Sequence, residues 1–203
     1  NCEFEKGFEF FKKSLDLGTS TNGLIPMAMA KIGIASFNYA FHGKNDLAYQ
    51  ISKEAVDMVQ GSGEIYIKGI ASSCHGMACY FKGLFEEAEN TLLQALSFCE
   101  KASQLGWWTW ASGSLGHVYS DMGEYQKALV YYEKGISTLE STGIYPFWVN
   151  MWNLSLEKSK VLNNNQDIKL RDIYEYHEKI SAKVEKGWAA RHVGEILLNI
   201  DDQ

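Results

Sequence analysis

Apolar positions along the chain fall at three- and four-residue intervals, in short blocks punctuated by glycine. Between residues 115 and 143, Leu115, Val118, Tyr119 and Met122 share one such spacing. After Gly123 the spacing resumes at Tyr125, Ala128, Leu129, Tyr132 and Ile136. A helix of 3.6 residues per turn puts each set on one face. This stretch therefore predicts two amphipathic helices meeting at a tight glycine turn. No run alternates apolar and polar residues between hairpin turns, so strands are not expected.

The same punctuation recurs at a fixed interval. Gly43, Gly83 and Gly123 are forty residues apart, followed by Asn163. Ala48, Ala88 and Ala128 keep the interval, followed by Ile168. Gly23, Gly63 and Gly143 form a third series with Ser103 in its gap, and Trp108, Trp148 and Trp188 a fourth. Recurrence at one register is the mark of a repeat architecture rather than of a catalytic site. Each series has a physical reading. A small alanine lets the two helices of a pair approach closely. The first glycine series turns the chain between paired helices, and the third is placed to end second helices as C-terminal caps. The tryptophan series reads as packing between units, which leaves Trp107 and Trp110, outside that register, as better candidates for contact with a partner. The expected fold is all-α, an α-solenoid of antiparallel helix pairs with about ten helices. Its units span approximately 24–60, 64–103, 105–142 and 145–184, with partial units at 1–18 and 186–203.

Leu115, Gly116, Tyr119, Gly123, Tyr125, Ala128 and Tyr132 resemble the tetratricopeptide repeat pattern. Gly76, Cys79, Gly83, Phe85, Ala88 and Ala95 follow it nearly as well, and residues 29–60 follow it in part through Tyr39, Gly43, Ala48 and Ala55. Ser112 stands where the family often has tryptophan, and the unit is forty residues rather than thirty-four. Helices longer by about a turn absorb the excess. Residues 149–183 depart furthest. The resemblance implies a right-handed superhelix in which the first helices of successive units line a concave groove. By position, the groove candidates are Phe37 and Phe41, then Met77, Tyr80 and Phe81, then Trp110, His117 and Asp121, then Asn150 and Asn153. Aromatic rings give contact area at low entropic cost, and an asparagine can pair with a peptide backbone as donor and acceptor. The long unit, with Gly-Trp or Phe-Trp before the first helix, also resembles the C-terminal arrays of large bacterial signalling proteins. Those arrays often follow a nucleotide-binding ATPase module and accompany cyclase, kinase or DNA-binding output domains.

Composition narrows the function. The 203 residues are 46% apolar and 13% aromatic, enough for a sizeable core, and carry a formal net charge of −6. That balance offers no basic footprint for a nucleic acid. Only Pro26 and Pro146 could interrupt helices. Residues 23–41 are the most apolar stretch, but Lys31 and Asn38 break it, so no membrane span is expected. Cys2, Cys74, Cys79 and Cys99 form no CxxC pair and read as reduced thiols of a cytoplasmic protein. The chain begins without methionine, and its first and last helices lack sequence partners, which predicts an excised segment of a longer solenoid.

Candidate chemistry is sparse. Cys74 and Cys79 are five residues apart, about 140° around a helix, and cannot easily address one metal ion. His177-Glu178 lacks the second histidine of a zinc-protease helix, and His75 and His117 alone make no triad. Glu86, Glu87 and Glu89 read as a solvated face near a helix N-terminus. No catalytic residue, metal or cofactor is expected. The expected role is a non-enzymatic module that binds a protein or peptide, or another domain of its own parent chain, without nucleic acid or membrane. A receptor for a short peptide or small effector, and a spacer or dimerisation segment of a multidomain enzyme, remain alternatives.

Overall fold

The computed structural model describes residues 4–165 and 167–200. Every regular element among them is helical. Two compact units divide the chain between Ser114 and Leu115, and each is described by itself.

The first unit holds α1 (Phe4–Ser20), α2 (Leu24–Gly33), α3 (Asn45–Gln60), α4 (Ile65–Phe81), α5 (Phe85–Lys101) and the first turns of α6 (Leu105–Asp121). Its neighbours pack in chain order: α1 on α2, α2 on α3, α3 on α4, α4 on α5. A π-helical turn over Ile34–Tyr39 and a 3-10 turn over Ala40–His42 extend α2. This stretch, 24–42, is apolar and long enough by composition and length to cross a bilayer. Here it packs on α1, α3 and α4, and Lys31 pairs with Glu54 at 2.6 Å. The core joins Ala28 and Ile32 to Ala55, Val59, Ile67, Ile70, Ala71 and Cys74, with Trp107 against it. A satellite cluster of Ala40, Ala48 and Ala78 carries Tyr39 and Phe81. The α4 helix is buried at every position from Gly69 to Tyr80, as a helix sandwiched between neighbours must be.

The second unit holds the last turns of α6, then α7 (Tyr125–Thr142), α8 (Phe147–Leu162), α9 (Leu170–Lys179) and α10 (Lys183–Asn199). Here α8 is the hub, packing on α7, α9 and α10. Leu115, Val118, Tyr119, Ala128, Tyr132 and Ile136 are all buried, the faces that the three–four spacing predicts.

The repeat positions have visible causes. Gly43, Gly83 and Gly123 take left-handed φ values of 69°, 80° and 77°, a region costly for a residue with a Cβ. Ala48, Ala88 and Ala128 are fully buried. A Cβ on Gly76 would sit 2.5 Å from Leu92 Cγ, and one on Gly116 2.5 Å from the Tyr132 ring, so both glycines are close-packing sites. The third glycine series needs correcting. Gly143 does cap α7 in the left-handed conformation, but Gly23 and Gly63 do not have positive φ. Asn22 and Ser103 hold that conformation instead, at 50° and 54°, because a short polar side chain tolerates it. Asn164, in the turn that follows α8, does so at 61°.

Candidate partner-binding surfaces

In the first unit, the groove candidates fall into two environments. Phe37 is 44% exposed on the π turn, and Phe41 and Phe81 are half-buried. Met77 and Tyr80 are buried, Tyr80 packing its ring 5.4 Å from that of Phe81. Trp110 is half-buried, and its backbone carbonyl accepts the Ser114 hydroxyl at 2.8 Å. The α1 helix explains which face of α2 is covered: a Cβ on Gly33 would fall 2.3 Å from the Phe11 ring. The open face carries Ile25 and Met29, exposed one turn apart, with Phe37 two turns further along. Ile25 and Met29 were missed in the sequence because their apolar character reads as core.

In the second unit, polar groups converge on the inner turns of α6, α8 and α10. His117 is buried; it shares a 2.6 Å hydrogen bond with the Tyr132 hydroxyl and stacks 4.6 Å from Trp188. Burial, with the nearby Lys158 charge, pushes its imidazole down to about 3. One turn on, Asp121 is exposed and lies 3.4 Å from the ammonium of Lys158. Lys158 is itself only 4% exposed and also lies 3.3 Å from Glu195. Ser159 donates to Ser120 at 3.0 Å beside this row. The result is an acid–base–acid row in which the cation is buried and both carboxylates reach solvent. Arg191 pairs with the same Glu195 at 3.2 Å, so the row extends to two acids and two bases and the buried ammonium stays compensated. Below it, His192 is fully buried and neither ring nitrogen has a hydrogen-bond partner. Burial and Lys158 push that imidazole down to about 2.

Asn150 and Asn153 are half-buried on α8, and the Asn153 amide donates to the Val149 carbonyl at 2.9 Å. Further along the same helix, Glu157 and Lys160 pair at 2.7 Å. They line a cleft of about 220 Å3 with Asp167, Lys169, Asp172 and Tyr176. The sequence did not reveal Lys158 and Glu195. Lys158 follows Asp121 by 37 residues, and Glu195 follows Lys158 by the same step, so the row runs out of register with the forty-residue period.

Residues 111–138 match the tetratricopeptide repeat family. That segment runs from the middle of α6 to the last turns of α7 and contains His117, Asp121 and Tyr132. No curated protein matches the chain. Among solved structures, the chain is similar to the kinesin light chain nearly identical TPR-like repeats of Podosopora anserina, with a TM-score of 0.61. Sequence identity is 13%, and the match covers 84% of this chain and 93% of that one. At that identity the likeness bears on fold alone. The two findings together support a tetratricopeptide-repeat assignment, and the fold is a helical repeat of the α-solenoid class.

Proposed function

We propose that this tetratricopeptide-type array is a non-catalytic interaction module, and that it binds a protein or peptide segment along the first helices of its units. Repeats of this kind generally mediate protein–protein interaction. The observation that carries the reading is the repeat match over 111–138, whose first helix ends on the solvent-facing Asp121. The chemistry of the two units suggests what each would select. The exposed stripe of Ile25, Met29 and Phe37 suits apolar side chains, which a partner would bury. The solvent-facing Asp121 carboxylate, with the amides of Asn150 and Asn153, suits an extended backbone carrying lysine or arginine. In a parent protein this array would act as a cytoplasmic sensor or scaffold that binds a partner and biases a linked signalling domain.

Panning a random peptide display library on the full chain tests this. Peptides held by the first unit should carry apolar anchors, and those held by the second a basic residue. Phe37→Ala should weaken the former and Asn150→Ala the latter at least fivefold while leaving the melting temperature within about 2 °C, since truncating side chains that are not fully buried costs little stability. Failure to enrich any sequence, or equal binding by both variants, would sink the reading.

A second reading draws on the 220 Å3 cleft around Glu157 and Lys160. Its volume lies below the usual range for drug-sized ligands, and its mixed charges suit a small zwitterion. Lys160→Ala should abolish such binding without changing peptide capture elsewhere.

A further inference from the structure

His75 and Cys79 stand one helical turn apart on α4, and Glu87 comes from the first turn of α5 across the helix pair. His75 Nε2 is 3.7 Å from Cys79 Sγ and 3.6 Å from Glu87 Oε1. All three ligand-type atoms lie within 4.8 Å of one another. A tetrahedral zinc ion held by nitrogen, sulfur and oxygen has ligand–ligand edges of about 3.3–3.6 Å. Two edges are therefore already near the required length. The third closes by a small rotation of Glu87, whose side chain is 40% exposed.

The surroundings orient these groups. Ser52, fully buried on α3, gives its one hydroxyl proton to the Tyr49 carbonyl at 3.0 Å. With that proton on the carbonyl, its oxygen, 2.9 Å from His75 Nδ1, is placed to accept from that nitrogen. In the tautomer this pairing selects, the Nε2 lone pair faces Cys79 and Glu87. The Tyr49 hydroxyl donates to both Glu87 oxygens at 3.0 and 3.3 Å and so holds the carboxylate. Hydrogen bonds behind the histidine and the carboxylate are what second-layer support of a metal site consists of. Lys82 lies over the Tyr49 ring at 4.4 Å and Lys53 at 5.9 Å; both ammonium groups sit behind Tyr49 and damp the negative charge.

We infer that His75 Nε2, Cys79 Sγ and a Glu87 carboxylate oxygen are three ligands of a binding site for a zinc-type divalent cation, with a fourth position left to water. A nitrogen, a thiolate and a carboxylate together suit zinc better than magnesium or calcium, which prefer oxygen alone. Binding requires the Cys79 S–H bond to break, with the proton released to solvent and the electron pair given to the metal. Because that proton must leave, affinity should rise with pH. Cys74 and Cys99, also buried and free, have no such neighbours.

The test is a titration of the reduced full chain with Co2+, whose spectrum reports thiolate ligation, followed by competition with Zn2+. One equivalent of Co2+ should bring up a thiolate-to-cobalt charge-transfer band and the visible bands of a tetrahedral site, and Zn2+ should bleach both. Cys79→Ser should remove the charge-transfer band, while Cys74→Ser and Cys99→Ser should keep it. Glu87→Gln changes an open side chain that the fold tolerates, so it decides the matter if Cys79→Ser does not fold. It should weaken Zn2+ at least tenfold, and Ser52→Ala about 10–100-fold. A wild-type chain without the band, a band that survives Cys79→Ser, or unchanged zinc affinity in Glu87→Gln overturns the assignment.

Discussion

Each unit buries a histidine on a first helix, His75 on α4 and His117 on α6, and the two rings meet different chemistry. His75 faces a thiol, a carboxylate and a serine hydroxyl. His117 faces a tyrosine hydroxyl, the Trp188 ring and a second imidazole, His192. Burial lowers both pKa values. In the first unit Glu87 pulls the value back up. In the second the Lys158 ammonium pushes it further down, against a smaller opposing effect of Asp121. One helix-pair architecture therefore surrounds one imidazole with ligand atoms and locks the other neutral in an aromatic core. The forty-residue repeat dictates that something is buried there, but the neighbouring helices decide what that group can do.

The largest expected effect of this difference is on acid stability. An imidazole held below its ordinary value of about 6.5 stays neutral in the fold and takes up a proton once unfolded. Its contribution is complete above about pH 6.5 and is lost as pH falls toward the folded values of about 3 for His117 and about 2 for His192. Each group then costs up to about 1.4 kcal/mol per pH unit. Together they remove about 5 kcal/mol between pH 6.5 and 4.5. Thermal melts across that range should show a steep decline, and hydrogen exchange should place the loss at 125–162 before 45–101. His192→Leu should halve the slope and, at pH 7, stabilise the chain by about 1 kcal/mol or more, because two unpartnered buried nitrogens disappear. A destabilised His192→Leu, or a slope it does not change, would show that His192 has a partner in solution.

Packing around the two histidines sets the next effect. Gly76 and Gly116 are forty residues apart, each one residue from its histidine, and each accepts a buried side chain where a Cβ would be. Alanine adds about 1 kcal/mol of helix propensity, but overpacking costs about 1–3 kcal/mol. Gly116→Ala should lose about 2 kcal/mol, because the Tyr132 ring is fully buried and tied to His117. Gly76→Ala should lose less, since Leu92 can change rotamer. Denaturant melts that reverse the order would place the tighter contact in the first unit.

Much of the fold could be read from spacing, because repeat positions obey local rules. Gly123 must turn, Ala88 must be small, and Leu115 with Tyr119 must face inward, whatever lies on the next helix. Positions fixed by neighbours were harder to read. Asn22 took the left-handed position expected of Gly23, and Ser103 filled its own gap in the glycine series, because any residue that tolerates that conformation can serve. Glu87 read as solvated from its own helix, and its approach to His75 becomes visible only across the α4–α5 pair. The Asp121–Lys158–Glu195 row was hidden by its 37-residue step against a forty-residue period. The candidate groove was legible as a set of first-helix positions. The depth of each side chain was not, because α1 and the π turn determine which face of α2 is open.

The smallest effect separates the two histidines most directly. Ser52→Ala removes the acceptor on His75 Nδ1, and Tyr132→Phe removes the hydroxyl on His117 Nδ1. Each leaves a buried nitrogen without its partner, at a cost of about 1–2 kcal/mol. At neutral pH, and without metal, the two variants should therefore melt alike. Their imidazoles should not behave alike. Freed from Ser52, His75 can move its ring proton to Nε2 and donate toward Glu87, so its 15N chemical shifts should report a change of tautomer. His117 lies instead against the rings of Trp188 and His192, so the two variants should differ in their 15N shift patterns. A shift pattern in Ser52→Ala identical to wild type would mean that Ser52 does not orient the ring, and the contrast between the two histidines would then rest on Glu87 and Lys158 alone.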